Sequence, residues 1–413
     1  MGYHRWDLDN GLNVVAEHHP QMKSVSVGFF VKTGSRDEPP ALGGVSHFLE
    51  HMLFKGSAAL SGEEIDATFD RLGAEYNAFT GSEYTGYYAR VLPEHLGALF
   101  ELLAELMQPA LRQQDFEVEK NVILEEIALY EDQPGAVLQR KAIATFYAEH
   151  PLGQDILGST ASVRALTPEQ MRSYYERRYV PRNITLAFVG NFDPERVHGL
   201  VQRHCGTWRG GQGGRAYPAF TPRENHDRCV RDHLSREHGV VLCPAPAYQS
   251  EQREAMDLVV DVLGHPGNSR LHWALVDKGL VDYVAASYHA QDGLGVAGVS
   301  YSCDPDVAAA VAQTIQEKIQ TLVEKGVIQG ELDSARNRVL TALAVEGEQS
   351  LRRLFSFAFD FLYDLPYRDL DTILANFQRV SVGAVSDLLE TFSFSPQTQV
   401  NLVPQRSQPE ELS

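Results

Sequence analysis

Two histidines and a glutamate fall within five consecutive positions, His47, Glu50 and His51, in the stretch GGVSHFLEHMLFKGS at residues 43–57. On a helix, residues four apart share a face, so the His47 and His51 imidazoles can meet one metal ion. Glu50 comes three residues after His47 and one before His51. It projects toward the same face, where a carboxylate could reach a water held at the metal and take its proton. The order HxxEH is the reverse of the HExxH zinc motif. Phe48, Leu49, Met52 and Leu53 fill the other faces, which predicts a buried helix. Burying two imidazoles and a carboxylate is costly unless something compensates them, and a bound cation would do so.

A catalytic zinc takes three protein ligands and leaves its fourth position to water. Candidates for the third ligand lie in EVEKNVILEEI, residues 117–127. On a helix, Phe116, Glu119, Ile123, Glu126 and Tyr130 line one stripe at 3–4 spacing. A carboxylate in so apolar a stripe must be paired or metal-bound. Glu126 is the favoured ligand, with Glu119, two turns earlier, placed to orient a histidine. Glu125, ~100° further round, stays open as an alternative, because this helix is apolar on several sides.

The elements that must position these residues read as strands over 14–16 and 25–31, paired with each other, and helices over 44–53 and 63–72. A hairpin follows over 74–89, then a helix over 94–107. A further helix over 114–130 extends toward 147 past an interruption near Pro134, and a strand over 184–189 closes the first half. Strands alternating with helix pairs predict an α+β fold, a mostly antiparallel sheet with helices packed on one face. Residues 209–223, RGGQGGRAYPAFTPR, have no helical periodicity and read as a linker. It divides the chain into a domain at 1–208 and a second at 224–413. The two are related. At a fixed offset of 214, Met171 meets Val385, Tyr174 meets Leu388, Leu186 meets Val400 and Phe188 meets Leu402, and Thr167 and Ser381 both stand at N-cap positions. A period this long means domain duplication.

Composition bounds the rest. The 413 residues suggest two or three domains at ~150 residues each. A net charge of −19 argues against broad nucleic-acid binding and is compatible with basic or unfolded peptides. No apolar run is long enough for a membrane span. Cys205, Cys229, Cys243 and Cys303 form no CxxC pair and read as free thiols. With no apolar signal core at residues 1–15, the expected location is the cytoplasm.

GGVSHFLEHMLFKGS with EKNVILEEI about 75 residues later resembles the pitrilysin/insulinase family of inverted-motif zinc peptidases, especially its short bacterial members and the mitochondrial processing peptidase β subunit. The resemblance runs the length of the chain and implies two homologous α/β-sandwich domains. It also implies zinc metalloendopeptidase activity on peptides or unfolded segments inside a closed chamber. By the same resemblance His47, His51 and Glu126 are the zinc ligands, Glu119 is the glutamate that supports Glu126, and Glu50 is the general base. Residues 77–80, NAFT, become an edge strand whose Asn77 and Ala78 pair with an extended substrate. The family's second half often carries an arginine seven residues before a tyrosine that binds substrate. Here Tyr283 fits loosely, Val276 stands at the arginine position, Arg270 is not that arginine, and Val276 is expected on an apolar helix face with Trp273 and Leu280. The missing arginine favours a heterodimer with a homologous chain over a homodimer. The second half has no HxxEH, which predicts one zinc per chain. The competing reading is a non-catalytic assembly or partner subunit.

Overall fold

The computed structural model describes residues 2–405. Strands β1 (Gly2–Asp7), β2 (Asn13–His18), β3 (Val25–Val31), β4 (Glu75–Thr80), β5 (Thr85–Val91) and β6 (Ile184–Gly190) form a six-stranded sheet in the order β1-β2-β6-β3-β5-β4. Strands β7 (Asn225–Arg231), β8 (Glu237–Pro244), β9 (Val281–Ala290), β10 (Gly295–Cys303) and β11 (Thr398–Pro404) form a five-stranded sheet in the order β7-β11-β8-β10-β9. The helices are α1 (Val45–Leu53), α2 (Gly62–Leu72), α3 (Leu96–Leu106), α4 (Gln113–Glu131), α5 (Pro134–Tyr147), α6 (Thr160–Ala165), α7 (Pro168–Arg178), α8 (Pro194–Cys205), α9 (Arg253–Gly264), α10 (Ala308–Lys325), α11 (Gln329–Gly347), α12 (Ser350–Leu362), α13 (Leu370–Arg379) and α14 (Val382–Thr391). This is the expected class, a mixed α/β chain with two sheets.

The sheets repeat one plan. Strand β2 runs parallel to β6 as β7 does to β11, and every other neighbouring pair is antiparallel. Strand β1 is the one addition in the first sheet. The offset of 214 superimposes β6 on β11 and α7 on α14. The two N-caps match as well: Thr167 accepts from the Gln170 amide and Ser381 from the Ala384 amide.

Two local expectations are corrected. Strands β2 and β3 are not partners, because β6 lies between them. Every residue of β6 is buried, and such a strand belongs at the centre of a sheet. The interruption expected near Pro134 is present: α4 stops at Glu131, and α5 begins anew with Pro134 at its first turn, where its missing N–H costs nothing, and runs to Tyr147. Trp273 does not join an apolar face. It is 54% exposed, and its indole N–H donates to Asn268 Oδ1 at 2.6 Å.

By contacts the chain forms two compact units that are not contiguous in sequence. The first comprises residues 1–128, 154–217 and 344–370; the second comprises 129–153, 218–343 and the chain from 371 onward. The linear division at 209–223 therefore differs from the contact units by two exchanged segments. In the first unit the main helical layer covers one face of the sheet, burying Val27, Phe29, Tyr87 and Phe188 against α1, α3, α4 and α7. The opposite face carries Val15, Phe30, Ala187 and Val189, and is covered by Leu354, Phe357, Ala358 and Phe361 of α12. Strand β3 is buried at all seven positions, so both faces need a cover. In the second unit, Val240, Leu242, Val296, Val400 and Leu402 receive α5 in the same way, through Val137, Leu138, Ala142 and Phe146.

The expected linker has no regular secondary structure, yet its first part is fastened to the first unit. Arg215 is a buried side chain that donates from Nε and Nη2 to the two oxygens of Asp37, at 3.0 and 2.8 Å.

Candidate metal centre

Helix α1 starts from a left-handed residue, Gly44, with φ +90°. A Cβ there would meet the Leu157 carbonyl oxygen at 2.5 Å, so glycine is required. The helix has no side-chain cap from its own N-cap residue. Glu38 takes that part instead: its two carboxylate oxygens accept from the Gly44 and Ser46 amides at 2.8 and 2.7 Å. A negative charge at the helix N-terminus is favourable, while burial pushes the same carboxyl up to about 8. Ser46 Oγ and Tyr174 Oη share a further bond at 2.7 Å, tying α1 to α7. Phe48 stacks on Phe116 with ring centroids 4.6 Å apart, which seats α4 beside α1.

This packing brings His47, His51 and Glu126 together. Glu126 Oε2 lies 3.8 Å from His47 Nε2 and 3.7 Å from His51 Nε2. One donor atom from each residue falls within 4.8 Å of the others. These separations are too long for hydrogen bonds. They are close to the ~3.4 Å edge of a tetrahedron whose ligands stand ~2.0–2.1 Å from a zinc ion. Three lone-pair donors facing one point without bonding each other fit a cation, so the residues present fit the group. Among the described residues no second set of three such side chains converges. Glu125 is exposed and lies outside the converging group, which contains Glu126.

Glu119 is 3% exposed, and its Oε1 is 2.8 Å from His51 Nδ1. That bond leaves His51 Nε2 to face Glu126. The other Glu119 oxygen pairs with Lys55 Nζ at 2.7 Å. Burial raises the Glu119 pKa, but the His51 and Lys55 contacts outweigh it and hold the carboxyl below its usual value. Burial holds His47 down to about 3, so the ring is neutral and its lone pair free. His51 is also lowered by burial, but Glu119, Glu50 and Glu126 bring it above its usual value. Burial raises Glu50, opposed by a bond from Thr80 Oγ1 at 2.5 Å and by His51.

Asn77 and Ala78 lie on β4, which pairs with β5 on one side and forms the edge of the first sheet. The Asn77 side chain is exposed, and its Oδ1 accepts from the Ala78 amide at 2.8 Å. Tyr283 lies on β9, the edge of the second sheet, and is 51% exposed. Val276 ends a single π-helical turn, His272–Val276, and packs partly against the core of the second unit with Leu280. Arg270 is committed elsewhere in that unit, with a two-pronged pair to Glu331 at 2.8 and 2.6 Å.

Sequence reasoning missed Lys55 and the side chain of Thr80. Lys55 had only a weak signal: it stands four residues after His51, but two residues beyond the end of α1. Thr80 lay within NAFT, but that motif speaks for backbone pairing and carries no hint of a hydroxyl contact across the sheet edge.

The description "Insulinase (Peptidase family M16)" matches residues 13–160, and "Peptidase M16 inactive domain" matches residues 165–339. The chain belongs to peptidase family M16. M16 relatives include an uncharacterised zinc protease of Bacillus subtilis, 30% identical over 93% of this chain and 94% of that protein. Another, from Mycobacterium leprae, is 31% identical over 94% of this chain and 88% of its own length. Among solved structures, a protease from Helicobacter pylori matches with a TM-score of 0.90 at 23% identity, covering 98% of this chain and 99% of that one. A chain of complex III2 from Candida albicans matches with a TM-score of 0.85 at 18% identity, covering 97% and 96%. At such identities these structures speak for the fold alone. The four cysteines are free, and among the described residues no helix is long and apolar enough to cross a membrane.

Proposed function

We propose that this M16 chain is a zinc metalloendopeptidase in which His47, His51 and Glu126 hold the metal. The observation that carries the reading is the convergence of two Nε2 atoms and one carboxylate oxygen at 3.7–3.8 Å, with Glu50 on the same helix. When bound, zinc would supply a Lewis acid for a peptide carbonyl and lower the pKa of water toward ~7. Glu50 takes the proton from the attacking water and passes it to the leaving amine. Its raised pKa suits a base that must both accept and return a proton. Glu119 fixes the His51 ring, and Lys55 keeps Glu119 an anion. The open edge of β4 at Asn77 and Ala78 pairs with an extended peptide, which favours unfolded segments over folded proteins.

We further propose that one chain binds one zinc and works against a second, homologous chain that closes a chamber over the substrate, with Tyr283 binding substrate. The absence of an arginine at Val276 favours a different chain as that partner. The net charge of −19 suits unfolded or basic peptides. The test is a peptidase assay on unstructured peptides, comparing wild type with Glu50→Gln. The variant is expected to keep its zinc and lose ~10²–10⁴-fold in turnover. Near wild-type turnover would remove Glu50 from its role.

A further inference from the structure

We propose that Thr80 is a positioning residue for Glu50, and that it assigns the two oxygens of that carboxylate to different tasks. The proposal rests on the peptidase reading above. Thr80 is the last residue of β4, and its Oγ1 donates to Glu50 Oε2 at 2.5 Å. Among the described residues it is the one protein group that hydrogen-bonds this carboxylate. An ionised carboxylate only accepts, so the hydroxyl proton belongs to this bond. Oε2 is therefore engaged on one lone pair, and Oε1 is the oxygen with no protein donor, the one we assign to receive the proton from water. A glutamate reaches its target through three rotatable bonds. One fixed oxygen removes the choice between two equivalent ends and leaves a single geometry for proton transfer.

The hydroxyl is held on a rigid support. Thr80 pairs with Thr85 across the hairpin, and the Gly81 amide donates to the Tyr84 carbonyl at 2.8 Å. Thr85 Oγ1 donates to the Thr33 carbonyl at 2.9 Å. Within the same turn, Glu83 is 2% exposed, ion-paired to Arg36 and bonded to the Tyr363 hydroxyl at 2.9 Å. The turn that ends β4 is thus anchored by buried charges, and Thr80 is not at the end of a mobile hairpin. It also follows Ala78 by two residues on the edge proposed to pair with substrate. One strand then sets both the line of the peptide and the orientation of the base.

The test compares Thr80→Val, which removes the hydroxyl and keeps the branched shape, with Thr80→Ser, which keeps the hydroxyl. The readouts are kcat and KM on a fluorogenic peptide that the wild type cleaves, zinc content, and a crystal structure of Thr80→Val. For Thr80→Val, kcat is expected to fall ~10–100-fold, as for a lost hydrogen bond to a charged group. KM should change by less than ~2-fold, zinc content should not change, and Thr80→Ser should recover most of the kcat. In the Thr80→Val crystal, the Glu50 carboxylate should leave the position it holds beside residue 80. The proposal is overturned by wild-type kcat in Thr80→Val, by a loss confined to KM, by a serine variant as impaired as the valine, or by an unmoved Glu50 carboxylate. If the wild type itself hydrolyses nothing, the peptidase reading fails alone, and the crystal position of Glu50 still decides this one.

Discussion

Arg353→Ala should destabilise the first unit by about 3–5 kcal/mol, the cost of stranding one partner of a buried ion pair. Arg353, on α12, donates to both oxygens of Glu17 on β2, at 2.7 and 2.9 Å. The two side chains are 2% and 0% exposed. Tyr367 adds a hydroxyl bond to Glu17 Oε1 at 2.8 Å. This cluster is the polar part of the contact by which α12 covers the sheet; the rest is the apolar packing of Leu354, Phe357 and Phe361. The same magnitude follows from the proton. Burial alone would raise the Glu17 carboxyl, but bonds from His19, Arg353 and Tyr367 outweigh it and hold it at about 2, against 4.5 in the open chain. At ~1.36 kcal/mol per pH unit, that gap is worth about 3 kcal/mol. The folded pKa is depressed, so this stability is complete above pH about 4.5 and is lost as pH falls toward 2. The assay is urea unfolding at pH 7 and at pH 3, with hydrogen exchange along α12. At pH 7 the variant should unfold at lower urea, its α12 amides should exchange first, and its stability should depend less on pH in the acid range. Glu17→Met with Arg353→Met should recover most of the loss, because an apolar pair leaves no stranded charge. A variant within 1 kcal/mol of wild type, or with the same acid slope, would refute the argument.

Glu119→Ala should weaken zinc binding ~10–100-fold by releasing His51 Nδ1, and Lys55→Met should have a smaller effect in the same direction; equal zinc affinity in competition with a chelator would contradict both. Acidification should strip zinc, because protons compete for His51 Nε2. The raised His51 pKa means that this competition sets in at a higher pH than for an ordinary histidine. Full zinc retention after dialysis at pH 4.5 would count against that sign. Ser381→Ala should cost about 1 kcal/mol through loss of the α14 cap, with no change in zinc content, read by thermal unfolding.

The core of the cluster was legible because it is local. His47, Glu50 and His51 lie within five residues, and the helical period alone puts them on one face. Glu126 was favoured because Phe116, Glu119 and Ile123 share its stripe, and all three are buried. The stripe was read one turn too far, since Tyr130 is 36% exposed where α4 leaves the core. The duplication was legible because capping and strand alternation repeat at one offset. Less visible were the contacts between distant segments. Strand order depends on which strand takes the centre, and β6 is separated from β2 and β3 by some 150 residues. The exchange of α5 and α12 had only a faint trace, the mostly apolar composition of β3 and β6 on both faces, which points to two buried faces without naming the second cover. The Thr80–Glu50 bond joins residues 30 apart across an edge strand, where no periodicity connects them.

The central claim is that three side chains from two helices form one zinc site. Metal content by plasma mass spectrometry, after zinc loading and exhaustive dialysis at pH 7.5, tests it most directly on wild type beside His47→Ala and Glu126→Gln. The account predicts one zinc per wild-type chain and loss of that zinc in both variants. Well under one zinc in the wild type, or full retention in Glu126→Gln, would contradict it.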